Sequence, residues 1–231
     1  RLLNIKYFKY KTSRRDSLNS NLHLDFINVE NFKIPNDVSK CLIIGGPVSY
    51  GESKNEKKIV SEIHKIKIPL LIKKLLERNI YTIYVSSNMV IGKDKSDRTE
   101  FAIPKPNIEY GKMKHICETE IISLSNIFSQ EKLAILRLTK HISHETAPFS
   151  NWLKRYKQGL QINAFNDLFF APLTYENTAI IIDKMLDNLP YGIFHYSGEE
   201  DINYYDFCKL VNIELSKLGK KKINLKESNS K

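Results

Sequence analysis

The stretch Tyr81-Thr82-Ile83-Tyr84-Val85-Ser86-Ser87, followed by Pro104-Lys105-Pro106 and then by Tyr110-Gly111-Lys112-Met113-Lys114, decides how this chain reads. Its first part is a near-continuous run of β-formers, the pattern of a strand covered by helices on both faces. Its last part lies in a segment, 107–128, with helical periodicity, so Tyr110 and Lys114 stand one turn apart on the same face. Strand followed by long helix is one step of a βαβ unit, and the alternation continues in both directions. Strands are expected at 5–11, 21–26, 40–45, 81–87, 133–138 and 192–196, and helices at 57–78, 107–128, 150–158, 175–189 and 204–218. Within 57–78 the residues Ile59, Ile63, Ile66, Leu70 and Ile72 should share a buried face. Pro69 should kink that helix or split it, because proline removes a backbone donor. The fold class that follows is α/β, with a doubly wound parallel sheet.

Composition sets the limits around this reading. The 231 residues suffice for one sizeable α/β domain with a small appended lobe, and 42% hydrophobic against 27% charged residues is globular rather than disordered. The formal charge of +10 raises the question of nucleic acid. The basic residues, however, are scattered in short clusters such as Lys57-Lys58, Lys73-Lys74 and Lys220-Lys221-Lys222, with no basic helix or aromatic-interleaved stripe, which fits a solvated lysine-rich surface and no nucleic-acid partner. Cys41, Cys117 and Cys208 are widely spaced and odd in number, which suggests neither a disulfide framework nor a zinc site. His141, His144 and Glu145 lack further ligands at metal spacing, so no metal is expected. Without a signal-peptide pattern or a long apolar run, a soluble cytoplasmic protein is expected, with no membrane partner.

The chemistry sits where the strand meets the helix. A phenol has a pKa of about 10, and an adjacent ammonium favours the phenolate and lowers that value. Ser87, at the C-terminal end of a parallel strand, places a hydroxyl where open α/β sheets bind their ligands. Ser87, Tyr110 and Lys114 together describe a site that moves a proton on or off a hydroxyl or carbonyl.

The order Ser-Ser-x-x-Val-x-Gly over 86–92, then Pro-x-Pro, then Tyr-Gly-x-x-Lys-x-x-x-Glu over 110–118 resembles the extended short-chain dehydrogenases/reductases, which include sugar-nucleotide epimerases, dehydratases and reductases. The resemblance implies a Rossmann-like domain over 1–148, a small substrate-binding lobe mainly within 149–219 with some segments returning to the main sheet, and a flexible tail over 220–231. It also implies roles. Tyr110 is the general acid/base, Ser87 orients the substrate oxygen, and Lys114 bonds the nicotinamide ribose. Asp25 with Phe26 matches the strand end that contacts adenine, and Gly45-Gly46 the small-residue strand end beneath the cofactor. Arg14 and Arg15 stand where the family selects its cofactor and suit the 2′-phosphate of NADP(H) better than NAD(H), although Asp16 is close by. The segment from Asn166 to Thr174 resembles the substrate lobe of dTDP-4-dehydrorhamnose reductases, which adds Asn88, Trp152 and Pro172 as substrate contacts and a nucleotide-linked keto sugar as substrate. Trp152 with Tyr156 suits a stacking platform and an apolar helix face equally well.

Departures from the family pattern are as informative. No Gly-x-x-Gly-x-x-Gly occurs, and Arg1-Leu2-Leu3 reads as the end of a helix whose preceding strand and loop are not in the sequence, so an N-terminal truncation is expected. Ala171-Pro172-Leu173 replaces Ser-Pro-Thr, and Ser87-Asn88 replaces Thr-Asp, leaving the sugar open. An epimerase or dehydratase is the near alternative, and a non-catalytic NADP(H)-sensing or RNA-binding relative the distant one. The helices 57–78 and 107–128 resemble the pair that forms a four-helix homodimer interface in many relatives. His64 on the first of these is expected to serve a structural hydrogen bond, and Arg137 a structural ion pair.

Overall fold

The computed structural model describes residues 9–14, 22–44, 46, 54–92, 99–128 and 130–230, so most of the strand expected at 5–11, together with Arg15 and Gly45, lies outside the described residues. The chain divides into two compact units, one of residues 1–138 and 179–196, the other of 139–178 and 197–231. The boundary thus falls at 138, ahead of the expected 148, and 179–196 rejoins the first unit.

In the first unit the strands β3 (Lys40–Ile44), β4 (Tyr81–Ser87), β5 (Leu133–Leu138) and β8 (Gly192–Tyr196) form one sheet in the order β3-β4-β5-β8, every pair parallel. This is the Rossmann-like α/β architecture expected. A separate parallel pair joins β1 (Thr12–Ser13) to β2 (Leu22–His23). Every residue of β4 and β5 is buried, as expected of central strands covered by helices on both faces, with Thr82, Ser86, Ser87 and Arg137 among them. Tyr84 points to one face, towards the helix α3 (Glu109–Phe128), while Tyr81, of opposite parity, donates its hydroxyl proton to the Pro190 carbonyl at 2.6 Å. On the α3 side the core is built from Ile63, Ile68, Leu71, Ile72, Leu75 and Ile121 against Ile43 and Ile135.

The helix expected over 57–78 is interrupted just ahead of Pro69, as the proline implied: α1 (Lys54–Glu62) gives way through a π-helical turn, Ile63–Lys67, to α2 (Ile68–Glu77), with the Ile68 N–H donating to the Ile63 carbonyl five residues back. The wider turn accommodates the proline ring and its missing donor. It also inserts one residue into the helical phase, so Ile66, expected inside, is 51% exposed.

The second unit has its own aromatic core. Phe149 and Trp152 of α4 (Phe149–Lys157), Phe170 of β7 (Phe169–Phe170), and Tyr204 and Phe207 of α6 (Tyr204–Lys217) pack ring on ring, with Phe170 stacked on Tyr204 at 4.5 Å. The antiparallel partner of β7 is β9 (Ile202–Asn203), whose Asn203 caps α6 by accepting the Asp206 N–H. The helix α5 (Tyr175–Asn188) begins in this unit and ends in the first. Among the described residues no helix is long and apolar enough to cross a membrane.

The flexible tail expected over 220–231 is instead a strand. After Gly219, whose φ of 63° suits glycine, the Ile223 N–H donates to the Asn212 side chain and β10 (Leu225–Ser228) pairs in parallel with β6 (Ile162–Phe165). Ser230 then bonds Asp167 through both its N–H and its hydroxyl. Edge pairing draws on backbone groups, so a lysine- and serine-rich composition does not forbid it. Deleting 220–231 should expose one edge of β6, whose Ile162 and Ala164 are buried, and cost about 2 kcal/mol or more, read as a fall of about 4–8 °C in thermal unfolding. An unchanged melting curve would show the strand to be dispensable.

Candidate active site

Ser87 ends β4, 8% exposed, and its Oγ accepts the Met89 N–H at 3.2 Å, which caps a short 3-10 turn over Asn88–Val90. That turn presses directly on the start of α3. A Cβ at Gly111 would stand 2.3 Å from the Met89 carbonyl oxygen, so only glycine allows the approach. At Gly92 the φ of 87° and a Cβ position 2.0 Å from the Lys105 carbonyl oxygen impose the same restriction, and the loop doubles back to bring Pro104-Lys105-Pro106 beside the strand end. The two close approaches set Tyr110, in the first turn of α3, next to Ser87.

Burial pushes the Tyr110 phenol above its ordinary value, and the neighbouring Ser87 hydroxyl opposes that rise. This differs from the sequence expectation that Lys114 would depress the phenol. The reason is geometric: the Lys114 Nζ lies 6.0 Å from the Tyr110 ring centre and turns away, donating to the Val85 carbonyl at 3.1 Å and the Tyr84 hydroxyl at 3.2 Å. Lys114 is 1% exposed, and burial lowers its pKa to about 8. The buried phenol remains a proton donor at neutral pH, beside an amine that is charged below about 8.

Beneath the pair, Glu118 one turn along α3 receives the Arg137 guanidinium of β5, with Nη2 to Oε2 at 2.6 Å and Nε within 3.2 Å of both oxygens. Both side chains are almost completely buried. Arg137 Nη1 reaches His195 Nε2 on β8 at 3.1 Å, and the His195 backbone N–H donates to Glu100 Oε1 at 2.9 Å, which holds the Glu100 carboxyl below its usual range. A chain of charge and hydrogen bonds therefore runs from the loop after β4 across β8 and β5 to α3. With this arrangement, the pattern of the RmlD substrate binding domain family matches residues 51–229.

The chain belongs to that family. None of the curated proteins compared with it matches. Similar solved structures include a dTDP-4-dehydrorhamnose reductase from Clostridium acetobutylicum, 20% identical with a TM-score of 0.70, aligned over 92% of this chain and 77% of that one. RMD from Pseudomonas aeruginosa complexed with NADPH aligns at 15% identity and a TM-score of 0.71 over 90% of this chain and 75% of its own. The UDP-N-acetylglucosamine 4-epimerase from Bacillus cereus gives 18%, 0.69, 95% and 78%. At these identities the likeness is one of fold.

The remaining positions singled out in this RmlD-family sequence divide by place. Asn88 is half-buried in the turn beside Ser87. Gly46 fits closely against the helix behind it, where a Cβ would meet Ile68 Cδ1 at 2.7 Å and His64 Cε1 at 2.9 Å, so a larger residue would require those side-chain ends to shift. Arg14 is exposed just after β1. Asp25 Oδ1 accepts the Ile27 N–H and caps the 3-10 turn Phe26–Asn31, while Phe26 packs on the core. Trp152 and Pro172 belong to the second unit, where Trp152 meets Phe149 and Tyr204 edge-on and the Pro172 backbone lies so close to Gly198 that a Cβ there would stand 2.2 Å from the Pro172 carbonyl oxygen. Sequence reasoning passed over Tyr84, Glu100 and His195, although the phenol in the centre of an apolar strand was a visible signal for the first. The isosteric change Lys114→Met removes a buried charge and should raise the melting temperature by about 2–4 °C while abolishing turnover. A destabilised Lys114→Met protein would show instead that the ammonium holds the fold together.

Proposed function

We propose that this chain reduces the keto carbon of a nucleotide-linked sugar with a reduced nicotinamide cofactor, in the manner of a dTDP-4-dehydrorhamnose reductase. The observation that carries the reading is the meeting of Ser87, Tyr110 and Lys114 at the C-terminal end of a central parallel strand, where open α/β sheets bind ligands. The family match and the names of the similar structures support a sugar-nucleotide enzyme.

The residues present fit the nicotinamide end of such a cofactor, with a phenol and an amine on one helical face beside a strand-end serine. When bound, the cofactor supplies a hydride to the carbonyl carbon. Tyr110 gives its proton to the oxygen that becomes the hydroxyl, Ser87 hydrogen-bonds the same oxygen, and Lys114 supplies positive charge that stabilises the phenolate left behind. A buried phenol that keeps its proton at neutral pH suits the acid role, which is the direction of reduction. Arg14 and the NADPH complex of the Pseudomonas aeruginosa relative support NADP(H) over NAD(H). Asn88, Trp152 and Pro172 are assigned to the sugar nucleotide. Similarity to 4-epimerases favours, as a second reading, return of the hydride to the same sugar.

Tyr110→Phe should lower turnover of a dTDP-linked 4-keto-6-deoxy sugar by about 10²- to 10⁴-fold, with NADPH affinity measured by fluorescence unchanged. Undiminished activity would refute the assignment. Stoichiometric loss of reduced-nicotinamide absorbance marks a reductase, and none an epimerase. Lys114, lowered to about 8, is charged below that pH and neutral above it, while Tyr110 stays protonated there, so kcat/KM should fall as pH rises through about 8. A profile that is flat across this range would separate Lys114 from the rate.

A further inference from the structure

Tyr84 has no part in the proton transfer just described, yet among the described residues its hydroxyl and the Val85 carbonyl are the two acceptors of the Lys114 ammonium. Its side chain is fully buried among Ile135, Ile121 and Cys117. An isoleucine or phenylalanine would fill such a place without the cost of a desolvated hydroxyl, so a phenol here has to be paired. The Tyr84 hydroxyl accepts from the Lys114 ammonium at 3.2 Å, and that ammonium also lies 4.8 Å from the centre of the Tyr84 ring.

We propose that Tyr84 is a positioning residue of the proton-transfer site, its phenol oxygen and the Val85 carbonyl fixing the Lys114 ammonium to the same strand that carries Ser87. Strand β4 then sets the place of the serine directly and of the amine through the tether, while Gly111 seats the turn of α3 that bears Tyr110 on the end of that strand. The groups facing the ammonium are Tyr84 from β4 and Tyr110, Cys117 and Glu118 from α3, with Arg137 of β5 engaged by Glu118. Glu118 adds favourable charge but is committed to the guanidinium, which leaves Tyr84 and Val85 to fix where the ammonium sits. The use made of Lys114 rests on the reductase reading, whereas the tether does not.

The test is an NMR titration of the full chain, free of cofactor and labelled with [¹³Cε]lysine, in which the Lys114 signal is assigned by its loss in Lys114→Met. In Tyr84→Phe the charged amine loses an acceptor, so its titration midpoint should fall by about one pH unit. The alkaline limb of kcat/KM should move down with it, and a merely structural role would change the melting temperature and leave both where they are. A folded Tyr84→Phe protein with an unmoved Lys114 midpoint overturns the proposal. Should that variant fail to fold, the wild type decides: a nuclear Overhauser contact between the Lys114 ε-methylene and the Tyr84 ring supports the tether, and its absence overturns it. A shifted midpoint together with an active Tyr110→Phe enzyme would refute the reductase reading alone, and an unmoved midpoint with an inactive Tyr110→Phe enzyme the tether alone.

Discussion

A lysine ammonium buried to 1% exposure is the constraint around which the first unit is arranged. Removing such a charge from water is costly unless acceptors surround it, and here they come from the middle of the central strand. That accounts for the phenol of Tyr84 in the middle of the buried strand, and for a carboxylate at Glu118 that is itself neutralised by Arg137. It also accounts for the tight seat of α3, because the amine reaches Val85 only where Gly111 lets the helix start rest on the Met89 carbonyl. Burial acts in opposite senses on the two titrating groups: it raises the acid and lowers the amine. Opposed shifts of this kind are what the proposed proton transfer would use.

Much of this was legible in the sequence. The runs Tyr81–Ser87 and Leu133–Leu138 are buried throughout and stand out as short β-forming stretches without polar alternation along one face, and Gly192–Tyr196 is marked by its run of β-formers. The four-residue spacing of Tyr110 and Lys114 places them on one helical face whatever the rest of the chain does. The misreadings have specific causes. Ile66 was assigned to the core by a period of 3.6, which a π turn interrupts for a reason only the position of Pro69 could hint at. Strand β10 is held by backbone bonds to β6, and its Leu225-Lys226-Glu227-Ser228 carries almost no apolar pattern to announce it. The depression of the Tyr110 phenol was argued from proximity alone, but the direction in which a lysine points depends on acceptors 29 and 30 residues away in sequence, at Val85 and Tyr84.

The family match and the site geometry bear on different questions. Membership in the RmlD substrate binding domain family and likeness to both reductases and 4-epimerases establish an architecture that serves several sugar-nucleotide chemistries. The chemistry is argued from the side chains: a protonated phenol beside a strand-end serine is prepared to give a proton to a carbonyl oxygen. The second unit keeps Trp152 within its own aromatic core, so a role for that ring in binding would be added to a packing role it already has.

The most direct measurement of the central claim follows deuterium from NADPH dideuterated at C4 during turnover of a dTDP-linked 4-keto-6-deoxy sugar. Reduction by this site places the label on the carbon that bore the carbonyl, one deuterium, moved as deuteride, for each cofactor oxidised, with the new hydroxyl proton drawn from solvent through Tyr110. A sugar recovered without label while the cofactor stays reduced would contradict the account.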